Sequence, residues 1–113
     1  MHDLKERTKR FALDVIRFCR TLPNGDEFTV IKRQLMRSAT SVAANYRAAQ
    51  RAKSKPDFIS KLGTVEEEAD ESLFWLEILG ELLNSPSLEL KRLRTEADEL
   101  VAIFVSSRKT ARS

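Results

Sequence analysis

The sequence predicts an all-α protein, an antiparallel up-down-up-down bundle of four helices. Two observations lead to this fold. Apolar residues recur every three or four positions along most of the chain, which is the spacing of a helix buried on one side. Pro and Gly interrupt this spacing in the segments TLPNGDE, SKP and NSPS, which leaves four helical stretches joined by short connections. Two helical hairpins completed by a second subunit would produce the same pattern.

The boundaries of the four helices follow from these interruptions. Pro23 and Gly25 end the first helix. Ser54, with Asp57 three residues later, is a suitable N-cap for the third helix, and Pro86 suits the first turn of the fourth. The tail RKTARS is expected to fray. Within one domain of residues 1–113, the helices are expected at about residues 3–22, 29–52, 55–83 and 87–108.

Each helix has one apolar face that is expected to form the core. The faces are spaced at about 100° per residue, as an α-helix requires. They comprise Leu4, Phe11, Val15, Phe18, Cys19 and Leu22 in the first helix, and Ile31, Leu35, Val42, Tyr46 and Ala49 in the second. They comprise Phe58, Leu62, Val65, Ala69, Leu73, Leu76, Leu79 and Leu83 in the third, and Leu90, Leu93, Ala97, Leu100, Val101 and Phe104 in the fourth.

Composition excludes several classes of protein. Cys19 is the only cysteine, so neither an internal disulfide nor a cysteine-based metal site is possible. The charged N-terminus has no signal-peptide core, and no apolar run approaches the length of a membrane span, so a cytoplasmic location is expected. The net charge of +3 only weakly favours a polyanionic partner.

Motifs of catalysis are missing from the sequence. The only histidine is His2, so no Glu-x-x-His pair is available for a di-iron site. There is no P-loop, no G-x-G-x-x-G and no H-E-x-x-H, and neither Ser38 nor Ser41 has a base beside it. The acids of VEEEADE spread over several faces of a helix, which favours a solvated or arginine-paired surface over a cation site. We therefore expect a protein that is not an enzyme and has no metal or cofactor.

Basic residues form a stripe on the second helix. No acid occurs from residue 28 to residue 56, and at about 100° per residue four arginines fall on the side opposite the core. This pattern predicts a phosphate-binding surface that includes the following turn. The expected nucleic-acid-binding residues are Arg33, Arg37, Arg47, Arg51, Lys53 and Lys55. Alternatively, the arginines form ion pairs with acids of the third helix, for which the candidates are Glu66, Glu67, Asp70 and Glu71.

The third helix has a second apolar side. Phe74, Trp75, Ile78 and Leu82 lie on an arc about 100° or more away from its core face. A helix buried all round would explain this arc, but helices of a four-helix bundle keep a solvent side. The arc therefore predicts an oligomer interface. Asn45 lies beside the core face and is expected to be structural, with a hydrogen bond to another helix.

The central sequence resembles the bacterial four helix bundle proteins, also called 23S ribosomal RNA intervening-sequence or S23-like proteins. The resemblance is strongest over residues 34–81. It includes Arg-Ser before a small-residue helix with an Asn, then a basic turn with Ser, a Phe and an acidic helix. These residues are Arg37, Ser38, Asn45, Arg51, Ser54, Phe58, Glu67, Glu68 and Glu71. The commonest family version has roughly Ser-Asn-Ile-Ala-Glu-Gly here, whereas in this sequence Tyr46 and Arg47 follow Asn45, with no acid or glycine.

The resemblance implies an assembly as well as a fold. Members are similar to compact bundles that associate as ring-like homopentamers. A related branch, the accessory variability determinant proteins of diversity-generating retroelements, binds nucleic acid and a reverse transcriptase. Three functions remain open at this stage: RNA or DNA binding, a protein-interaction scaffold, and a small-ligand or metal site among the acids. We predict nucleic-acid binding through the basic helix, with a protein-interaction scaffold, in which the arginines form structural ion pairs, as the alternative.

Overall fold

The computed structural model describes residues 3–85 and 87–113 of the chain. Over these residues the structure has four helices and no strand, which confirms the all-α prediction. The helices are α1 Leu4–Cys19, α2 Asp26–Ala49, α3 Lys55–Leu82 and α4 Leu88–Arg112. His2 and the predicted first-turn role of Pro86 lie outside the described residues.

The helices pack in chain order, and neighbours in sequence are neighbours in space. α2 and α3 share the largest contact, α3 and α4 the next, and the seam between α1 and α4 is the smallest. Arg7 holds that seam, since its guanidinium donates hydrogen bonds to Glu96 at 2.7 and 2.8 Å and to Glu99 at 2.9 Å. The hydrogen bonds with Glu96 are the largest cause of the raised pKa of Arg7.

Capping side chains explain where three helices begin. Asp3 accepts the backbone N–H groups of Lys5 and Glu6. Ser54 accepts the N–H of Asp57, which confirms the N-cap that the sequence predicts. Ser87 accepts the N–H of Leu90 at the start of α4. Each of these bonds satisfies an N–H that the first turn of a helix leaves without a partner.

α2 begins at Asp26, three residues earlier than the predicted Thr29. Gly25 precedes it with φ 133°, a backbone conformation that favours glycine because it has no Cβ. With Gly25 in this conformation the chain turns sharply, so α2 begins at the next residue, Asp26. Asp26 and Glu27 then occupy its first turn, where negative charge is favourable to the helix dipole.

The C-terminal ends also differ from the prediction. α1 ends at Cys19 and α2 at Ala49, three residues before the predicted Leu22 and Ala52. Tighter turns follow, in which an N–H donates to the carbonyl three residues back, as from Ala52 to Ala49 at 3.1 Å. The tail expected to fray is helical to Arg112, because Ala111 packs against the core and basic residues in the last turn favour the dipole.

The core confirms most of the predicted faces. The buried apolar residues of the described chain include Phe11, Val15, Phe18, Cys19, Leu22, Ile31, Leu35, Val42, Ala49, Leu62, Val65, Ala69, Leu76, Leu79, Leu90, Leu93, Ala97, Leu100 and Phe104. Some predicted core residues lie at its margin and are only partly buried, namely Leu4, Tyr46, Phe58, Leu73, Leu83 and Val101. The Cys19 thiol is desolvated by burial, which raises its pKa to about 11 and favours the protonated form near neutral pH.

Two buried serines connect α2 to α3. The Ser72 Oγ lies 2.9 Å from the Ser38 Oγ and 2.9 Å from the Glu68 carbonyl oxygen, and Ser38 Oγ lies 3.2 Å from the Leu35 carbonyl. Both side chains are fully buried. Buried hydroxyl groups need such partners, so this pair favours one register between the two helices. Apolar spacing alone did not predict them as core residues.

Candidate functional site

Within the arginine stripe of α2, Arg37 is paired with acids of α3. The Arg37 guanidinium donates to Glu68 Oε2 at 3.1 Å and also to Glu71, while Trp75 Nε1 donates to the same Glu71 oxygen at 3.1 Å. The ion-pair interpretation is therefore right for Arg37, although only Glu71 was among the predicted partners. Arg37 thus has donors engaged by acids of α3, and its role as a phosphate contact stays a prediction.

These hydrogen bonds shift the ionisation of both groups. The bond to Glu71 is the main cause of the raised pKa of Arg37, and the bond from Arg37 is the main cause of the lowered pKa of Glu71. Arg37 is 47% exposed, so solvent screens the pair and its stabilisation is modest.

Arg37→Ala is expected to destabilise the fold by about 1 kcal/mol near neutral pH. In the folded protein the pKa of Glu71 is below its ordinary value of 4.5. The stabilisation by the Arg37–Glu71 pair is therefore fully present above about pH 4.5. It is lost as the pH falls through the lowered pKa of the folded state. Thermal denaturation of the parent protein and of Arg37→Ala, from pH 7 to pH 3, measures whether their melting temperatures approach each other as the pH falls. Arg33→Ala is the matched control, and equal melting temperatures for the two variants at pH 7 would contradict the prediction.

The other three arginines of the stripe are exposed. In the described part of the chain, Arg33, Arg47 and Arg51 have no carboxylate oxygen within 4 Å. Arg33 lies about 21 Å along α2 from Arg47, since they are 14 residues apart. Arg33 therefore belongs to a different part of the surface from the pair near the turn.

A basic groove lies where α2 turns into α3. Its volume is about 370 Å³, and its lining comprises Ala44, Arg47, Ala48, Arg51, Lys53, Asp57 and Lys61. Lys61 Nζ donates to one Asp57 oxygen at 2.5 Å, and the Lys53 backbone N–H donates to the other at 3.1 Å. These bonds, led by that of Lys61, lower the pKa of Asp57. Lys55, also predicted as a site residue, is exposed beside the groove at the first position of α3.

The C-terminal part of α4 adds basic residues that sequence reasoning missed. Antiparallel packing places this segment near the α2–α3 turn, and it carries Arg108, Lys109 and Arg112. The Arg108 side chain lies over Gly63, whose missing Cβ would be 3.5 Å from it, and reaches Glu66 with Nε 3.0 Å from Oε1. Their place near this turn depends on how α4 packs against the other helices, which no pattern within one helix shows.

Charge is therefore concentrated at one end of a bundle 45 Å long. We call residues 44–66 and 104–113 the basic end. It contains eight Lys and Arg against two acids, a net charge of +6, and because the whole chain has +3 the remainder has −3. A local field of this kind attracts polyanions more strongly than the overall charge suggests.

Comparison with known proteins identifies the family. Residues 2–106 match the family model described as 23S rRNA-intervening sequence protein. The chain belongs to this family. A crystal structure from Bacteroides thetaiotaomicron, described as a protein with unknown function from the S23 ribosomal protein family, is also similar. Its TM-score is 0.83 at 30% identity, with 93% of this chain and 97% of that chain covered. A search of curated proteins gave no match.

The second apolar side of α3 is only partly used by the fold of this intervening-sequence family member. Phe74 is 48% and Leu82 45% exposed, whereas Trp75 and Ile78 are partly buried against the core. The Phe74 and Trp75 rings are in edge contact, with centroids 4.9 Å apart. Trp75 and Ile78 therefore have structural roles in the monomer, and Phe74 and Leu82 are the free part of the predicted interface.

Val30 of α2 extends this apolar surface. It is 55% exposed and precedes Arg37 by seven residues, two turns of helix, so both lie on the side of α2 that faces Glu71. Ile78 follows Glu71 by the same spacing on the antiparallel helix. Val30 therefore lies level with Ile78. We call Val30, Phe74, Ile78 and Leu82 the apolar face.

Among residues 3–85 and 87–113, the Asn45 side chain does not make the predicted hydrogen bond to another helix. Its Nδ2 donates to the Ser41 carbonyl oxygen at 2.9 Å and lies 2.7 Å from Ser41 Oγ, both one turn back on α2. The side chain is partly buried and its bonds are local. We therefore expect Asn45→Ala to change the free energy of unfolding by less than about 1 kcal/mol, measured by urea denaturation. A larger loss would show that Asn45 has a partner beyond Ser41.

Within residues 3–85 and 87–113, no group of three or more His, Cys, Asp or Glu side chains could hold a metal ion. None of the helices of those residues is both long and apolar enough to cross a membrane.

Proposed function

We propose that this protein is a non-enzymatic nucleic-acid-binding protein that contacts the sugar-phosphate backbone with its basic end. The concentration of +6 in one third of the chain is the observation that carries the proposal. Arg47 and Arg51 support it, because both are exposed and, among the described residues, neither forms an ion pair of the kind that engages Arg37. Arginine in this state is well suited to phosphate.

The mechanism is electrostatic and does not depend on base sequence. The aromatic residues nearest the groove, Tyr46 and Phe58, are partly buried against the core, and Tyr46 contacts Phe104 with ring centroids 5.5 Å apart. They provide no exposed platform for stacking bases. Phosphate contacts position a protein on nucleic acid without reading its sequence. Binding should therefore tolerate many sequences.

The test is anisotropy titration of labelled RNA at two salt concentrations. RNA is the first probe because the family is described by an rRNA intervening sequence. Affinity is expected to fall by about 100-fold or more between 50 and 200 mM salt, since several released counterions give a steep dependence. Two unrelated RNA sequences and a DNA of equal length should bind within about threefold of each other. A flat salt dependence, or a strong preference for one sequence, would refute backbone binding.

Self-association is the second part of the proposal. The apolar face supports it, because a monomer exposes Val30, Phe74 and Leu82, three large apolar side chains, to water. We propose a second copy of this chain as its occupant, in a cytoplasmic homo-oligomer. The number five comes from the resemblance alone. A ring would repeat the basic end around its axis and extend the surface available to a polyanion.

A protein-interaction scaffold is the other candidate function. The same apolar face favours it, since a partner such as a reverse transcriptase could cover this surface instead of a second copy. A chain that is monomeric by light scattering, binds RNA weakly at low salt, and binds a purified protein partner through Phe74 would favour the scaffold. The proposed function predicts the opposite result for each measurement.

A further inference from the structure

The basic groove at the α2–α3 turn already contains one carboxylate of the protein, that of Asp57. The two oxygens of Asp57 accept from Lys61 Nζ and from the Lys53 backbone N–H, and both donors belong to the lining of the groove. Arg47 and Arg51 line the same groove and have no carboxylate within 4 Å among the described residues. The groove thus has more positive charge than its single carboxylate neutralises.

The chemistry of the lining fits a phosphate group. Ammonium, guanidinium and backbone N–H donors bind the oxygens of carboxylates and phosphates alike, and guanidinium pairs with phosphate at two points. Ala44 and Ala48 leave the groove open where longer side chains would fill it, with a volume of about 370 Å³. This space is larger than a phosphate group needs, so one phosphate of a longer chain can enter.

We propose that this groove is a seat for one phosphate group, and that Asp57 is its built-in competitor. An incoming phosphate replaces Asp57 as the partner of Lys61 and approaches the Lys53 N–H against the negative charge of Asp57. Arg47 and Arg51 bind the same phosphate from the other side of the groove. Asp57 therefore sets the affinity of the seat. This inference rests on the proposed function, because the seat is part of the basic end.

The test compares Asp57→Asn with Asp70→Asn. Asparagine keeps an oxygen that accepts the Lys53 N–H but removes the charge that engages Lys61. Asp70 is exposed on the same helix and without an ion pair in the described chain, so its substitution changes the net charge equally. It lies 13 residues further along, about 20 Å away, which is beyond the screening length of about 10 Å at 0.1 M salt.

Inorganic phosphate is the probe, followed at the Lys53 amide by NMR titration. Asp57→Asn is expected to tighten phosphate binding about fivefold to tenfold, and Asp70→Asn to change it less than about twofold. Equal effects of the two variants would show that only net charge matters and would overturn the proposal. Circular dichroism confirms that each variant is folded before the comparison.

A substitution that changes no charge distinguishes binding in a defined phosphate seat from attraction by a diffuse positive field. Ala44→Leu fills the groove at an exposed helical position without changing any charge. It is expected to weaken phosphate binding at least about fivefold, since a seat needs space and a diffuse field does not. Unchanged binding by Ala44→Leu would overturn the seat. Salt-dependent RNA binding by the parent protein is measured separately, so a seat that fails while RNA still binds leaves the proposed function standing.

Discussion

Arg47→Glu combined with Arg51→Glu is expected to lower RNA affinity by at least about 100-fold at low salt. The two changes reduce the charge of the basic end from +6 to +2 and place carboxylates where phosphates would approach. Neither arginine has an acidic partner in the described chain, so the melting temperature should stay within about 2 °C of the parent value. Anisotropy titration and thermal denaturation measure the two outcomes.

The matched control is Arg10→Glu combined with Arg33→Glu. Both residues are exposed, have no carboxylate within 4 Å among the described residues, and lie outside the basic end. This variant has the same net charge as the first and should retain RNA affinity to within about tenfold. If both variants lose affinity equally, binding follows total charge and the basic end has no special role. If the first variant unfolds, its arginines are structural after all.

If the proposed homo-oligomer forms through the apolar face, Phe74→Glu combined with Leu82→Glu is expected to convert it to a folded monomer. Both side chains are about half exposed, so charge at these positions is tolerated by the monomer but is unfavourable in an apolar contact between copies. Size-exclusion chromatography with light scattering measures the mass, and circular dichroism the helix content. A parent protein that is already monomeric at tens of micromolar would rule out this interface.

Trp75→Glu does not test the interface cleanly. Trp75 packs against the core and donates to Glu71, so its loss would damage the monomer as well. The matched control for Phe74→Glu with Leu82→Glu is Leu13→Glu combined with Val105→Glu, which makes the same chemical change at exposed positions on other helices. This control should leave the mass of the oligomer unchanged. Dissociation by the control would show that the contact lies elsewhere on the bundle.

The two proposed surfaces occupy different parts of the molecule and can act together. The apolar face lies near the start of α2 and the end of α3, whereas the basic end lies where α2 turns into α3, at the opposite end of the same two helices. A neighbour that covers Phe74 and Leu82 leaves Arg47 and Arg51 free. Disruption of one surface should therefore leave the other function measurable in the same protein.

The sequence by itself determined the number of helices, most of their core faces and the capping role of Ser54. These features depend on the 3.6-residue period and on side chains within one turn of each other, so they are local properties that a sequence displays directly. The ends of the helices were less predictable. Gly25 and the turns after Cys19 and Ala49 depend on backbone angles and hydrogen bonds that composition does not specify.

Only the tertiary structure decided which charges are free. Arg37 and Arg47 fall on one stripe of α2, yet only Arg37 lies opposite Glu68 and Glu71, in the register that the buried Ser38 and Ser72 favour. The basic end also required the fold, because Arg108 is 57 residues from Arg51 in sequence and antiparallel packing brings α4 back to the α2–α3 turn. Periodicity places a side chain on a face of its own helix, whereas a partner on another helix depends on register and topology.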